Sequence, residues 1–481
     1  MINLKSCWAG APVLAMAFAA SACDQGLTDV NVNPNDPEVV APEYLLANAI
    51  TSSVGGDFGT HGPSMNLYLA SIWPQHLTQV KYNEEEPYKP RTLAGQSIWN
   101  NFYSGPLADL ADVKRIADDT NDPNLAAVAE VISQYDFQVL TDMFGDIPYS
   151  QALKGRGAEV VRNPAYDTQK DVYYGMLAAL TAANGQITAG GAASWAAGDL
   201  VYDGNMTRWK RFANSLRMRM AMRIADVDPA KARTEFVAAY QAGGFQSNAD
   251  NAELVWTAAQ PSQNPIYDYF YNQDRFDNVV SETLVDTLAA LHDPRLEVYA
   301  EPAETDHVYR GLRNGDLPAD YGLGVDDYSN IGVSFLAANA PSVMMSYAEV
   351  LFLQAEAAAR GWIPADAGTL YRQAITASME QNGIAAATIA AYLARPGVAY
   401  GGRPAIGLQK WIALFMNGPE AWAEVRRTNY PLLTPVVGNT IALRIPYPNQ
   451  EQTLNRASVE EAIARQNEAL SVFGRLWWDV N

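Results

Sequence analysis

Apolar residues recur every three or four positions over long stretches of the chain, which is the spacing of one face of an α-helix. Clear examples run from 125 to 139, from 209 to 224 and from 344 to 358. A proline opens another stretch at Pro42, and Asp122 precedes a proline, and both arrangements favour a helix N-terminus. The pattern predicts a mainly α-helical protein.

Two predicted helices carry a finer pattern, in which a small, an aromatic and a second small residue are spaced four and then three positions apart. The residues are Ala232, Phe236 and Ala239 in one helix, and Ala367, Tyr371 and Ala374 in the other. Small residues let a neighbouring helix approach closely and the ring fills the groove, as in the second helix of a tetratricopeptide unit. The spacing favours a tetratricopeptide-like helical scaffold, with ordinary helix packing as the alternative.

Residues 261–341 interrupt the helical pattern with a segment that is rich in tyrosine and glycine. Its tyrosines are Tyr267, Tyr269, Tyr271, Tyr299, Tyr309, Tyr321 and Tyr328. We expect an irregular, loop-rich insertion that carries a binding surface, because loops on a rigid scaffold commonly bear function. No strong boundary separates the insertion from its surroundings, so residues 42–481 are predicted to form a single domain.

The N-terminal residues have the composition of an export signal. Lys5 precedes an apolar stretch over 8–20, shorter than the roughly 20 residues that span a bilayer, and small residues then lead to Cys23. This order predicts a signal peptide at 1–22 and a lipidated Cys23, whose acyl chains would anchor the protein. Residues 23–41 are predicted to be a tether. The alternative is a soluble periplasmic protein with a free Cys23.

Composition and motif content argue against several classes of protein. The 481 residues contain 53 Asp and Glu against 33 Lys and Arg, a net charge of −20, which disfavours a nucleic-acid partner. The four histidines show no metal-ligand spacing, and the motifs of serine hydrolases, P-loop enzymes and dinucleotide enzymes do not occur. We therefore predict no catalytic residue, no metal and no cofactor. A pair of carboxylates would suffice for glycoside hydrolysis, which leaves a lipid-anchored glycoside hydrolase as an alternative.

Seven phrases spread along the chain are distinctive when taken together. They are LTDMFGDIPYS at 140–150, WKRFANSLRMR at 209–219, DPRL at 293–296, YAEVLFLQAEA at 347–357, QKWIALF at 409–415, EAWAEVRRT at 420–428 and WWD at 477–479. With the predicted lipidated cysteine and helical scaffold, the set resembles the SusD/RagB family of surface-exposed nutrient-binding lipoproteins, best known from Bacteroidetes.

This resemblance implies a fold, a partner and a location. The fold would be a tetratricopeptide-like scaffold carrying an irregular ligand-binding region, in a family that is non-catalytic. The partner would be a SusC-like TonB-dependent transporter in the outer membrane, over which the lipoprotein sits as a lid facing the exterior. The ligands would be oligosaccharides, or peptides as in RagB-like members. Alternatives are retention in the inner membrane, which Asp24 directly after Cys23 leaves open, and a tetratricopeptide scaffold that binds only proteins.

The resemblance also points to site residues, since the family builds its ligand face from an early loop and the central insertion, here 82–99 and 264–328. Aromatic rings would stack on sugar faces and polar side chains would bond the hydroxyls. The implied ring platforms are Tyr82, Tyr88, Trp99, Tyr271, Tyr309 and Tyr328, and the implied hydroxyl partners are Asn83, Asn272 and Arg310. Packing in the core is the alternative for each ring.

Overall fold

A computed structural model describes residues 40–91, 93–155, 160–188, 190 and 194–480. The predicted signal peptide, Cys23 and nearly all of the predicted tether lie outside these residues. Among the helices that are described, none is both long and apolar enough to cross a membrane.

Helices make up most of the described structure. Within it, the α-helices of eight residues or more are α1 (Pro42–Val54), α2 (Ala94–Ser104), α3 (Pro106–Thr120), α4 (Pro123–Phe144), α5 (Gln169–Gln186), α6 (Met206–Arg223), α7 (Pro229–Ala242), α8 (Glu282–Leu291), α9 (Tyr347–Ala359), α10 (Ala367–Gln381), α11 (Ala386–Leu393), α12 (Arg403–Ala413), α13 (Gly418–Thr428) and α14 (Arg456–Arg465). Shorter helical turns include Pro63–Met65, Asn66–Ala70, Pro265–Tyr267, Asp268–Asn272, Leu296–Tyr299 and Asn449–Leu454. The prediction of a mainly α-helical protein is confirmed.

Several helices begin where the sequence supplies an acceptor for free backbone N–H groups. Asp122 accepts a hydrogen bond from Leu125 N at the start of α4 (3.0 Å), and Asp228 accepts one from Lys231 N at the start of α7 (3.1 Å). A proline follows each aspartate. Proline has no backbone N–H group, and in the first turn of a helix that group would have no intrahelical acceptor, so proline is tolerated there. Local sequence therefore determines where these helices start.

Neighbouring helices pack side by side in chain order from α3 to α7, and α9 packs against α6, α10 and α12. The two predicted helix pairs are α6–α7 and α9–α10. On α7, Phe236 is fully buried between Ala232 and Ala239, which are also buried. On α10, the ring of Tyr371 lies 6.4 Å from that of Phe352 on α9. The small–aromatic–small pattern marks helix contacts, and the tetratricopeptide-like scaffold is confirmed.

Charged side chains are buried where α6, α9, α12 and α13 meet. The ion pairs there include Arg219–Glu349 (2.6 Å), Arg223–Glu420 (2.5 Å), Lys410–Glu424 (3.1 Å) and Arg427–Glu356 (2.5 Å). None of these side chains is more than 7% exposed, so loss of one partner would leave a buried charge uncompensated. Three of these pairs thus join helices that are far apart in the sequence, and Lys410–Glu424 joins the consecutive helices α12 and α13.

Two small antiparallel sheets position the insertion. β1 (Leu77–Gln79) pairs with β3 (Asn278–Val280), and β2 (Ala252–Val255) pairs with β4 (Pro341–Met345). The β2–β4 pair brings the two ends of the insertion together, and Asn264 Nδ2 donates to Ala340 O beside it (2.9 Å). Because β1 follows α1 and β3 lies inside the insertion, the β1–β3 pair joins the insertion to the early part of the chain.

Two buried histidines are expected to make the protein less stable as the pH falls. Burial lowers the pKa of His76 from 6.5 to about 3 and that of His61 from 6.5 to about 4. Below pH 6.5 the unfolded chain takes up protons that the folded chain excludes. The stability that comes from keeping these histidines neutral is therefore fully present above pH 6.5 and is lost as the pH falls. Each histidine should reduce the free energy of unfolding by about 1.4 kcal/mol per pH unit in this range.

Urea unfolding of the wild type and of His76→Gln over a series of pH values measures this effect. His76 Nε2 donates to Trp411 O (2.9 Å), and glutamine keeps a donor at this place without titrating. The stability of the wild type relative to the variant should fall by about 1.4 kcal/mol per pH unit below the ordinary histidine pKa. A difference that does not change with pH would contradict the prediction.

Candidate ligand-binding site

The insertion forms most of a cleft of about 570 Å³ beside β3, which we name the aromatic cleft. The aromatic residues that line it are Tyr271, Phe276 and Tyr328, and the aliphatic ones are Val279, Val325, Ile331, Val333 and Leu336. The polar residues that line it are Lys81, Asn278, Glu301, Glu304, Asp326 and Asn330. A cleft of this volume that combines rings with a few polar groups has the properties of a small-ligand site.

Tyr271 is the exposed ring of the aromatic cleft. It lies on the turn Asp268–Asn272 and is 47% exposed. Its ring packs against Tyr267, with 5.1 Å between centroids, and edge-to-face against Phe276, at 5.9 Å. The two neighbours support the ring while leaving part of it open, which is the arrangement that a stacking platform requires.

Tyr82 does not line the aromatic cleft, but it lies next to the same segment of the insertion and is 58% exposed. The guanidinium of Arg275 lies 5.7 Å from the centre of the Tyr82 ring and 5.5 Å from that of Tyr269, within the range of a cation–π contact. Arg275 directly precedes Phe276, which contacts Tyr271. The two exposed tyrosines therefore flank a single dipeptide.

Arg275 is oriented by a carboxylate and by phenol groups. Its Nε donates to Asp277 Oδ2 (2.7 Å) and its Nη2 donates to Tyr68 OH (3.2 Å). Tyr269 OH donates to the same oxygen of Asp277 (2.9 Å). The hydrogen bond to Asp277 raises the pKa of Arg275, so the guanidinium keeps its charge and holds N–H donors beside the exposed ring of Tyr82.

Tyr328 also lines the aromatic cleft, but as part of its wall. Its ring packs with Val80, Val279 and Leu312, and the residue is 5% exposed. Tyr328 thus gives the cleft an apolar surface and offers little free ring face. The structure brings Tyr271 and Tyr328, which were predicted from opposite ends of the insertion, to one cleft.

Tyr309, Arg310 and Asn272 were also predicted, but they do not line the aromatic cleft in the described structure. Tyr309 is half-buried, and burial raises the pKa of its phenol. Arg310 donates to Asp306 Oδ2 and to Asp327 O, both at 2.6 Å. Asn272 Nδ2 donates to two side chains of its own loop, at 2.7 and 3.0 Å. The polar groups of Arg310 and Asn272 thus form hydrogen bonds with other residues of the insertion.

Two predicted ring platforms, Tyr88 and Trp99, are in the core instead. Tyr88 is 3% exposed, its ring packs edge-to-face against Trp73 at 6.3 Å, and its hydroxyl accepts from Val436 N (3.0 Å). Trp99 is 4% exposed and packs against Phe144 at 5.1 Å. Because other side chains cover both rings, we leave them out of the candidate site, which corrects the expectation from sequence.

Asn83 lies at a second cleft, of about 660 Å³, where its Nδ2 donates to Gly315 O (3.1 Å). No described aromatic residue lines this second cleft, so it lacks a stacking platform. Beside it, the carboxylate of Glu86 accepts from Asn314 Nδ2 (3.0 Å) and Gly315 N (2.9 Å). Burial raises the pKa of Glu86 to about 7. Through its hydrogen bonds to Asn314 and Gly315, Glu86 connects the early loop to the insertion.

The aromatic cleft is acidic. Glu301, Glu304 and Asp326 line it, and Lys81 is the single cation among its described lining residues. Glu301 Oε1 accepts a hydrogen bond from Val333 N (3.1 Å). In the described part of the chain, no group of three or more His, Cys, Asp or Glu side chains is placed to hold a metal ion. The carboxylates are thus spread along the cleft.

Reasoning from sequence missed Arg275, Phe276 and the acidic residues. Arg275 and Phe276 lie within the predicted ligand-face range 264–328 and follow the Tyr267–Tyr271 cluster. Their position in the sequence could therefore have identified them as candidate site residues. The platforms predicted in the insertion are all tyrosines. The acidic residues had no signal of their own, because the chain has 53 Asp and Glu and their positions in the fold decide which ones face a cleft.

A helical scaffold whose loop-rich insertion carries an aromatic cleft defines a class of ligand-binding proteins. Residues 34–448 match a family model of SusD-like proteins, described as starch-binding and associating with the outer membrane. Because this match covers most of the chain, the protein belongs to the SusD-like family.

Solved structures give the same assignment. A chitin-binding protein is 31% identical, with 92% of this chain and 100% of that chain covered and a TM-score of 0.81. A chitin-binding SusD homologue from Flavobacterium johnsoniae is 26% identical, with 92% and 99% covered and a TM-score of 0.81. A SusD homologue from Bacteroides uniformis is 26% identical, with 92% and 100% covered and a TM-score of 0.81. Among curated protein sequences, none matches the chain.

Proposed function

We propose that this protein binds oligosaccharides in the aromatic cleft and takes part in nutrient uptake at the outer membrane. The observation that carries the proposal is the exposed ring of Tyr271 in this cleft, with a second exposed ring, Tyr82, outside the cleft lining on the other side of Arg275–Phe276. Sugar rings stack their C–H faces on aromatic rings, and Arg275 Nη1, which has no partner in the described structure, is a donor for sugar hydroxyls. Two solved relatives with this fold are described as chitin-binding, which supports a saccharide ligand.

The proposal includes a location and a partner. A lipidated Cys23 would hold the protein at the membrane, and the match to a family associated with the outer membrane supports that location. A SusC-like TonB-dependent transporter would receive the ligand, with the protein acting as its lid at the cell exterior. In this role the protein releases the oligosaccharide unaltered and has no catalytic activity.

Isothermal titration of the purified mature chain with chitin and starch oligosaccharides tests the proposal. We expect saturable binding of at least one of the two series, and no increase in reducing ends during incubation. An increase in reducing ends would overturn the non-catalytic role and support a lipid-anchored glycoside hydrolase. Binding of peptides without binding of any oligosaccharide would support a RagB-like function instead.

Removal of either exposed ring should weaken oligosaccharide binding. We expect Tyr271→Ala and Tyr82→Ala each to raise the Kd about tenfold, because a stacking contact contributes about 1 kcal/mol beyond its buried area. Isothermal titration with the best oligosaccharide measures the change. Tyr44→Ala is the matched control, since Tyr44 is 69% exposed on α1 and in the described structure neither lines the aromatic cleft, as Tyr271 does, nor contacts Arg275, as Tyr82 does. Equal Kd values for all three variants and the wild type would contradict the assignment of the site.

A further inference from the structure

The aromatic cleft offers a ligand more hydrogen-bond acceptors than donors. Within the described residues, the side chains of Glu304 and Asp326 form no hydrogen bond or ion pair, and both are exposed. Asn278 also lines the cleft and is 1% exposed. Its Nδ2 donates to Leu67 O (2.8 Å), whereas its Oδ1 accepts no hydrogen bond in the described structure but is itself buried, so the acceptors open to a ligand are the carboxylates. A ligand that fits this lining must bring donors of its own.

Rings and carboxylates together are the groups that bind an ammonium. An ammonium has three N–H donors and no acceptor, so it matches carboxylates such as Glu304 and Asp326. It is also attracted to the face of an aromatic ring such as Tyr271. A metal ion is a poorer match here, because the described carboxylates are not grouped to hold one. The net charge of −20 adds a long-range attraction for cations and repulsion of polyanions.

We infer that the aromatic cleft prefers oligosaccharides that carry protonated amines, such as glucosamine units, over neutral or acidic ones. This inference rests on the proposed function, because it assumes that the ligand of the cleft is an oligosaccharide. Glu304 and Asp326 would receive the ammonium groups while Tyr271 stacks on a sugar ring. A lysine-containing peptide carries the same ammonium group and is distinguished from the saccharide by experiment.

Isothermal titration of the mature chain with three hexasaccharides tests the inference. The probes are hexamers of glucosamine, of N-acetylglucosamine and of galacturonic acid, at mildly acidic pH and at about 0.01 M and about 1 M salt, where the Debye length falls about tenfold. At low salt we expect the glucosamine hexamer to bind about tenfold more tightly than the N-acetylglucosamine hexamer, and the galacturonic acid hexamer to bind most weakly. High salt should remove most of these differences.

The double variant Glu304→Gln, Asp326→Asn shows whether the cleft causes the preference. In this variant the ratio of the two Kd values should fall from about ten to about one. Glu84→Gln, Glu282→Gln is the matched control, because it removes two exposed carboxylates at the second cleft and leaves the aromatic cleft untouched. The control should keep the tenfold ratio.

The possible negative results distinguish a failure of the inference from a failure of the proposed function. If the N-acetylglucosamine hexamer binds but the glucosamine hexamer binds no better, or if the double variant keeps the preference, the inference is overturned and the proposed function stands. Tighter binding of the galacturonic acid hexamer at low salt would also overturn the inference. Tighter binding of pentalysine than of the glucosamine hexamer would assign the ammonium site to a peptide. If no oligosaccharide binds in any condition, the proposed function itself fails.

Discussion

Replacement of Arg295 by methionine is expected to lower the free energy of unfolding by about 3–5 kcal/mol. Arg295 and Asp293 are both fully buried, and they pair through Nη2–Oδ2 at 2.6 Å and Nε–Oδ1 at 2.9 Å. Burial alone would raise the pKa of Asp293, but the charge and hydrogen bonds of Arg295 outweigh it and lower the pKa. Methionine fills a similar volume but leaves the buried carboxylate without its partner.

Arg295 also joins the insertion to the scaffold, which adds to the expected effect. Its Nη2 donates to Gln409 Oε1 on α12 (2.5 Å), and its Nη1 donates to Ser378 Oγ on α10 (3.2 Å). The substitution therefore leaves Gln409 Oε1 without a donor, which adds a desolvation penalty, and removes one hydrogen bond from Ser378 Oγ, which keeps its hydrogen bond with Tyr299.

Urea unfolding at neutral pH measures the change. Arg456→Met is the matched control, because Arg456 pairs with Glu460 at 2.7 Å while the two side chains are 75% and 58% exposed. An exposed pair contributes at most about 1 kcal/mol, so the control should be nearly as stable as the wild type. A loss of less than about 1 kcal/mol for Arg295→Met would contradict the buried pairing.

Substitution of Gly332 by alanine is expected to lower stability by about 3 kcal/mol and to weaken oligosaccharide binding. A Cβ atom at Gly332 would overlap the backbone carbonyl of Val298, and backbone cannot move aside as a flexible side chain can. Gly332 N donates to Tyr299 O (3.0 Å) at this crossing of two segments. Its neighbours Ile331 and Val333 line the aromatic cleft, so displacement of the segment would change the shape of the cleft.

Gly324→Ala is the matched control within the same insertion. The nearest atom to a Cβ at Gly324 would be Asp327 Oδ2 at 3.7 Å, an ordinary contact. Urea unfolding and isothermal titration of both variants compare stability and affinity. We expect the control to match the wild type in both measurements. Wild-type stability and affinity for Gly332→Ala would show that the two segments do not cross as closely as described.

Much of the scaffold was predictable because helix formation leaves a local signal. The spacing of apolar residues over 125–139 and 209–224 falls on α4 and α6, and Asp122 accepts the hydrogen bond expected of a helix cap. The small–aromatic–small pattern at Phe236 and Tyr371 identified the helices that pack as pairs. These signals extend over one or two helical turns, so the local sequence is enough to predict the helices.

The candidate site was only partly predictable, and two tyrosines in one loop show why. Tyr82 and Tyr88 have similar backbone torsions, with φ of 55° and 60°, yet Tyr82 is 58% exposed and Tyr88 is 3% exposed. Tyr88 is covered by Phe473 and bonded to Val436 N, which lie near the other end of the chain. No residue near Tyr88 in the sequence indicates that Phe473 and Val436 will contact it.

The sequence by itself determined the helices, their pairing pattern, the position of the loop-rich insertion and the membership of the SusD-like family. Only the tertiary structure decided which rings stay exposed, which tyrosines share a cleft and which carboxylates line it. The physical reason is the range of the interactions. Helix periodicity and caps act between residues a few positions apart, whereas the burial of a loop side chain depends on segments that meet only after folding.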